Sequence, residues 1–155
     1  MNRDFMREAI RLSLAMMRRN TGGPFGAVVA CKGSIVARGW NRVTSANDPT
    51  AHAEIVAIRR ACKRLQTFHL DACELYTSCE PCPMCLAAIY WARIRAVYFG
   101  NTRKDAARIA FADDLIYREI ALPVGRRKLA MKQLLHEEAL AAFAEWERKT
   151  DKVVY

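Results

Sequence analysis

The sequence predicts one domain of the α/β class, built around a partly parallel sheet. Short apolar runs rich in β-branched residues alternate with helical patterns of roughly 10–15 residues. The chain has 155 residues, the length of a single domain. Its 52% hydrophobic and 26% charged residues are typical of a globular protein, and we find no internal repeat or linker.

The N-terminal elements are a helix and a hairpin. Residues 3–19 place apolar side chains at helical spacing among Arg and Glu, which predicts an amphipathic helix. A Gly-Gly-Pro cluster at 22–24 ends it. The apolar runs 25–31 and 34–41 flank Lys-Gly, so we expect two antiparallel strands. A polar loop follows at 44–48.

The rest of the chain alternates helices with strands. Apolar residues at every third or fourth position predict a helix over 51–65. A buried strand over 73–77, a helix over 83–93 and a strand over 96–100 come next. Residues 129–148 are rich in Ala, Leu and Glu, which predicts a final helical region.

Charge and apolar patterning limit the class of partner. The net charge of +9 raises the question of a nucleic-acid partner, but the basic clusters have no interleaved aromatic residues, so nucleic acid is not expected. The sequence has no run of ~18 apolar residues, so we predict no membrane span, and without an export signal we expect a cytoplasmic protein. Its six cysteines are therefore not expected to form a disulfide framework.

Two short motifs carry the chemistry. Cys82 and Cys85 form C-x-x-C at a helix start, where Pro83 suits the first helical position and the positive helix end favours thiolates. His52 supplies a third ligand at another helix start, and zinc with three protein ligands keeps a position for water. Glu54 stands where a proton shuttle is needed. H-x-E followed by P-C-x-x-C is the signature of the zinc-dependent nucleobase deaminases.

The same residue types also occur in structural zinc sites and in redox-active cysteine pairs. A closed structural zinc site requires a fourth ligand, and Cys79 could supply it, although Pro81 holds that connection extended. A redox pair leaves the His-x-Glu motif unexplained. The remaining cysteines fall at apolar positions and are expected to be small buried hydrophobes, and the other two histidines have no partner pattern; these residues are Cys31, Cys62, Cys73, His69 and His136.

Blocks along nearly the whole chain resemble one known group. GGPFGAVV, SANDPTAHAEIVAIRRACK and LYTSCEPCPMC resemble the cytidine deaminase-like superfamily, while IYWAR, IYREI and a terminal Tyr are similar to bacterial guanine deaminases within it. The resemblance implies a three-layer α/β/α sandwich around a mixed five-stranded sheet. It also implies one Zn²⁺ per subunit and deamination of guanine to xanthine and ammonia. In that reaction zinc-bound hydroxide attacks C2, and Glu54 moves the protons.

The resemblance also implies a substrate site and an assembly. Phe25 and Trp91 pack the flat base, Asn41 bonds its polar edge, and Asp113 accepts protons from the purine; the implied substrate-binding set is Phe25, Asn41, Ala53, Trp91, Asp113 and Tyr155 of the partner subunit. Tyr155 reaches the site if the subunits of a homodimer exchange C-terminal segments over 129–155.

The sequence departs from the resemblance at one point. Related guanine deaminases tend to have Gly-Phe-Asp-Asp where this chain has Ala110-Phe111-Ala112-Asp113-Asp114. Counting from Phe111 selects Asp113, whereas a shift of one residue selects Asp114. Three alternatives therefore stay open: a guanosine or deoxyguanosine deaminase, a tRNA-specific adenosine deaminase, and a zinc-stabilised binding module without catalysis, against which Glu54 argues.

Overall fold

A mixed four-stranded sheet lies at the centre of the computed structural model, which describes residues 1–154. The strands are β1 (Gly26–Cys31), β2 (Ser34–Trp40), β3 (Cys73–Cys79) and β4 (Ala96–Asn101), in the order β2-β1-β3-β4. β1 is antiparallel to both β2 and β3, whereas β3 and β4 are parallel. The predicted α/β class is confirmed, with four strands in the described chain where five were expected.

Helices cover both faces of the sheet, which gives the three predicted layers. One face carries α1 (Arg3–Arg18), and the other carries α3 (Ala53–Leu65) and α4 (Pro83–Trp91). α4 forms the crossover that two parallel strands require. The shorter elements are α2 (Val43–Ala46), α5 (Arg103–Arg108), α6 (Asp114–Ala121) and a 3-10 helix (Val124–Arg126), followed by α7 (His136–Arg148).

Two glycines let helices approach the sheet closely. A Cβ on Gly39 of β2 would lie 2.1 Å from the Ala53 carbonyl oxygen in α3. A Cβ on Gly26 of β1 would lie 2.3 Å from the Ala9 carbonyl oxygen in α1. Only glycine permits such contacts, so the start of α3 is seated directly on the sheet.

The β2 edge of the sheet is partly closed by side chains of α3. Nη1 of Arg60 donates to the Arg38 carbonyl at 2.9 Å, and Nη1 of Arg64 donates to the Val36 carbonyl at 3.2 Å. These acceptors are two residues apart, so they lie on the same side of the strand. The guanidinium of Arg60 also lies 4.4 Å from the ring centroid of Trp40. The arginines thus occupy acceptors that a foreign strand would otherwise use.

Two expectations about the chain are wrong. Residues 129–135 are not helical, because α7 begins only at His136 after Leu135 in the left-handed region. Cys31 and Cys73 are not separate thiols but form a disulfide between β1 and β3. The antiparallel register places these two residues directly opposite each other, and their separation of 42 residues in the sequence concealed this.

The chain divides into two compact units. The first comprises Met1–Asp114 and holds the sheet, and the second begins at Leu115 and holds α7. None of residues 115–154 is buried, although this stretch includes large apolar side chains such as Leu134 and Phe143. No helix of the described chain is both long and apolar enough to cross a membrane.

Candidate metal and proton-transfer site

The N-termini of α3 and α4 hold the candidate ligands. His52 is the N-cap of α3 and Cys82 is the N-cap of α4, both with extended backbone. Neither side chain caps its own helix, so both are available for other contacts. Pro83 begins α4, as predicted, and places Cys85 one turn further along the helix. The positive ends of both helices therefore point toward the same group of ligands.

Three side chains predicted as ligands lie together. Nδ1 of His52 is 3.5 Å from Sγ of Cys82 and 3.6 Å from Sγ of Cys85, and the three ligand atoms lie within 4.8 Å of one another. Zinc bonds of about 2.1 Å to nitrogen and 2.3 Å to sulfur, meeting at a tetrahedral angle, place N and S about 3.6 Å apart. The ligand spacing therefore fits zinc.

The ionisation of the ligands also suits a cation. A hydrogen bond from Cys85, together with His52, lowers the pKa of Cys82 to about 4 despite burial. The same bond, burial and the nearby Glu54 raise the pKa of Cys85. The hydrogen bond with Cys82 raises the pKa of His52. Without a metal the two sulfurs thus share one negative charge, which a cation can bind while displacing the second proton.

Glu54 lies beside the ligands and is buried, with 6% of its surface exposed. Its Oε1 accepts a hydrogen bond from the Thr77 hydroxyl at 3.3 Å, and its Oε2 accepts one from Cys85 Sγ at 3.5 Å. Burial raises the pKa of this carboxyl group. A buried carboxyl group with a raised pKa next to a metal site can act as a proton carrier.

Cys79 is outside the ligand group found among the described residues. Its Sγ donates to the Thr102 carbonyl at 3.7 Å. Burial and the charge of Glu54 raise the pKa of the Cys79 thiol to about 11, so it stays protonated at neutral pH. The structure gives no support to a four-ligand site that includes Cys79.

The base-binding candidates of the first unit differ in their placement. Phe25 makes an edge-to-face contact with Phe111 at 4.9 Å between ring centroids. Asn41 and Ala53 are buried. Trp91 is 69% exposed at the end of α4, and Tyr155 lies outside the described residues.

Asp113 is linked electrostatically to the cysteines. Burial raises the pKa of its carboxyl group, and the charge of Cys82 adds to this effect. The carboxyl group of Asp113 also contributes to the raised pKa of Cys79. Asp114 is exposed, whereas Asp113 is partly buried.

Two residues that contact the candidate site residues, Thr77 and Phe111, are not evident from the sequence motifs. The alternation of β3 could have identified Thr77, because it shares a face with the core residues Cys73 and Leu75 and with Cys79. The sequence offers no comparable local signal for the contact between Phe25 and Phe111, which are far apart along the chain.

The chain is similar to several known proteins. The profile of the cytidine and deoxycytidylate deaminase zinc-binding region matches residues 1–101. A guanine deaminase of Bacillus subtilis is 48% identical over 151 residues, which are 97% of each chain. The crystal structure of guanine deaminase from that species superposes with a TM-score of 0.97, covering 100% of this chain and 99% of the other. A tRNA-specific adenosine deaminase of Agrobacterium fabrum is 45% identical over 94 residues, 57% of this chain and 62% of its own.

Proposed function

Because the chain belongs to the cytidine and deoxycytidylate deaminase zinc-binding family, we propose that it hydrolyses guanine to xanthine and ammonia. The observation that carries the proposal is the buried carboxyl group of Glu54 beside a three-ligand zinc set. Three ligands leave a coordination position for water, and a binding module has no use for a proton carrier there. The similarity to a guanine deaminase over 97% of the chain supports the choice of substrate.

His52, Cys82 and Cys85 hold one Zn²⁺ per subunit in this proposal. Bound zinc would supply Lewis acidity, which lowers the pKa of a water ligand to roughly 7. Glu54 would take one proton from the water that adds to C2 of guanine and pass it to a ring nitrogen. It would then take the second proton of that water, from the added hydroxyl group, and deliver it to the departing amino group. Water and guanine are thereby converted to xanthine and ammonia with no other reactant.

Existing hydrogen bonds determine which end of the Asn41 amide is available to a base. Its Oδ1 accepts hydrogen bonds from the backbone N–H groups of Gly23 at 3.1 Å and Val43 at 3.2 Å. Those two donors orient the amide, so its NH₂ group is the part left for a ligand. We assign this group to the acceptor edge of guanine, which carries O6 and N7.

Three further residues complete the proposed pocket of one subunit: Phe25, Ala53 and Asp113. Phe25 is held by Phe111 and offers an aromatic face to the flat base, while Ala53 forms part of the buried wall. The carboxylate of Asp113 accepts from the N–H groups of the purine, and its link to Cys82 favours it over Asp114. We favour the free base over a nucleoside because the similarity to a guanine deaminase extends over 97% of the chain.

A homodimer with exchanged C-terminal segments accounts for the second unit. Residues 115–154 contain no buried residue, and isolated helices of this length are marginal in water. On the first unit, Tyr90 and Trp91 are exposed at 76% and 69%, and β4 is an open sheet edge. We propose that the partner's segment from about residue 129 onward covers this surface, that Trp91 then lies at the closed pocket, and that the partner's Tyr155 contacts the base.

The site needs reduced sulfurs, which favours a reducing compartment even though Cys31 and Cys73 are paired. Cys82 and Cys85 are free, as are Cys62 and Cys79, and oxidation inactivates a zinc-binding thiolate pair. We therefore propose a cytoplasmic location, with neither a membrane nor a nucleic acid as partner. Cell fractionation with antibody detection tests the location, and recovery of the protein in the periplasmic or membrane fraction contradicts it.

The substrate is tested by ammonia release. Protein loaded with zinc is offered guanine, guanosine, deoxyguanosine, cytosine, cytidine and an anticodon stem-loop that contains adenosine. We expect turnover of guanine and at least about 100-fold slower turnover of the others. Turnover of a nucleoside with guanine inert makes the chain a guanosine or deoxyguanosine deaminase. Turnover of RNA alone, with steep salt dependence, makes it a tRNA-specific adenosine deaminase that uses the net charge of +9.

Two variants test the mechanism and the assembly. Glu54→Ala should lower kcat on guanine by ~100-fold or more while the zinc content is unchanged, because Glu54 is a proton carrier and not a ligand. Wild-type activity in this variant excludes the mechanism. Deletion of residues 153–155 should raise KM on guanine if the partner's Tyr155 closes the pocket, and multi-angle light scattering should still give a dimer. An unchanged KM and kcat remove Tyr155 from the site.

A further inference from the structure

We propose that Thr77 is a positioning residue for the proton carrier, an inference that rests on the proposed deaminase function. Thr77 lies in β3 with 1% of its surface exposed, and its hydroxyl donates to Oε1 of Glu54 at 3.3 Å. The bond joins the sheet to the first turn of α3. Its hydroxyl bonds Glu54 and not a candidate metal ligand, so its effect on the reaction passes through Glu54.

The presence of a hydroxyl at this position requires an explanation. Thr77 is paired with Ala27 of β1 and Phe99 of β4 in the middle of the sheet, where valine has the same shape and a high strand propensity. Burying a hydroxyl costs free energy unless it is hydrogen-bonded. Glu54 is the side chain that satisfies the Thr77 hydroxyl, which links the polar group at this position to the site.

The bond also distinguishes the two carboxylate oxygens of Glu54. Oε1 is held by Thr77, whereas Oε2 lies 3.5 Å from Sγ of Cys85, on the side of the metal ligands. Of these two donors, Cys85 belongs to the candidate ligand group, whereas Thr77 lies outside it. Thr77 thus keeps the carboxyl group in one rotamer and leaves Oε2 as the oxygen that exchanges protons with the reactants.

Thr77→Val removes the hydroxyl and keeps the shape of the side chain. A hydrogen bond to a charged group is worth about a 10-fold effect or more, so we expect kcat on guanine to fall by roughly 10-fold, with KM changed by less than about 2-fold. Thr77→Ser restores the hydroxyl and should recover kcat to within about 3-fold of the wild type. Zinc content, measured by plasma mass spectrometry, should be equal in all three proteins.

A matched control separates positioning from stability. Val29 is fully buried in β1 within the core cluster that packs against α3, and its apolar side chain cannot form a hydrogen bond with Glu54. Val29→Ala should lower the Tm without changing kcat. If kcat falls in Val29→Ala as much as in Thr77→Val, or if Thr77→Ser is as slow as Thr77→Val, the positioning role is wrong. A kcat for Thr77→Val within 2-fold of the wild type also overturns it.

A structural measurement keeps this inference separate from the deaminase function. Zinc-bound crystal structures of the wild type and Thr77→Val are compared at Glu54. We expect the Thr77–Glu54 bond in the wild type and a rotated carboxyl group in the variant. If the wild type deaminates none of the offered substrates but the carboxyl group rotates, the proposed function fails while the positioning stands. An unchanged carboxyl orientation in Thr77→Val overturns the positioning, whatever the activity.

Discussion

Gly39→Ala should displace the residues of the metal site, although Gly39 is not one of them. A Cβ at this position would lie 2.1 Å from the Ala53 carbonyl oxygen and 2.6 Å from the Ala57 nitrogen, both backbone atoms of α3. Ordinary contact begins at 3.4 Å, so β2 and α3 must separate by the difference, about 1.3 Å. His52 and Glu54 lie at the start of α3 and move with it.

The magnitude follows from packing. Overpacking of a core costs about 1–3 kcal/mol, and an immovable backbone oxygen places Gly39→Ala near 3 kcal/mol. For a chain of this size that corresponds to a Tm lower by roughly 6–12 °C. A displacement on the order of 1 Å at a catalytic group costs about 100-fold in rate. We expect this loss in kcat on guanine, together with weaker retention of zinc.

Gly26→Ala is the matched control for Gly39→Ala. Its Cβ would lie 2.3 Å from the Ala9 carbonyl oxygen, so it forces α1 off the opposite face of the sheet. Calorimetry should show a similar loss in Tm for both variants, whereas zinc retained after gel filtration should fall only in Gly39→Ala. Equal zinc loss in both variants, or a wild-type Tm and zinc content in Gly39→Ala, would refute the proposed seating of α3.

Three further predictions concern the ligands, acid stability and the β2 edge. Cys82→Ser should lose zinc while Cys79→Ser keeps it, as measured by plasma mass spectrometry, and zinc loss in Cys79→Ser would restore the four-ligand alternative. Hydrogen bonds from two arginines of α1 and β2 lower the pKa of Glu8 to about 2. The stabilisation of the folded chain by ionised Glu8 is therefore complete above the ordinary pKa of 4.5 and is lost as the pH falls toward about 2. Glu8→Gln should remove this part of the acid dependence of Tm, and an unchanged profile contradicts the linkage. The double variant Arg60→Ala, Arg64→Ala should aggregate faster on light scattering, because the β2 carbonyls become available, and no change in rate argues against that protection.

The zinc ligands could be predicted because their signals are local. Pro83 and the C-x-x-C spacing identify a helix start with two sulfurs, and His52 stands two residues before Glu54 at another helix start. Side-chain identity and helix geometry determine these features within one turn, so no knowledge of distant contacts is required.

Residues that act through contacts distant in sequence could not be predicted in the same way. The disulfide between Cys31 and Cys73 depends on the register of two strands far apart in the sequence. The bond from Thr77 to Glu54 depends on how α3 lies across β3. Residues 129–135 have a helical composition but are not helical, since α7 begins only at His136. Tertiary packing overrides a weak local preference.

The sequence by itself determined the α/β class, the order of the main helices and strands, and which residues are the candidate zinc ligands and the proposed proton carrier. These follow from hydrophobic period, turn residues and motif spacing, which act over a few residues. Only the tertiary structure decided the ligand distances, the burial of Glu54 and its hydrogen bond with Thr77. Each of these depends on how separate elements pack, and the free energy of packing is shared among residues that the sequence does not place side by side.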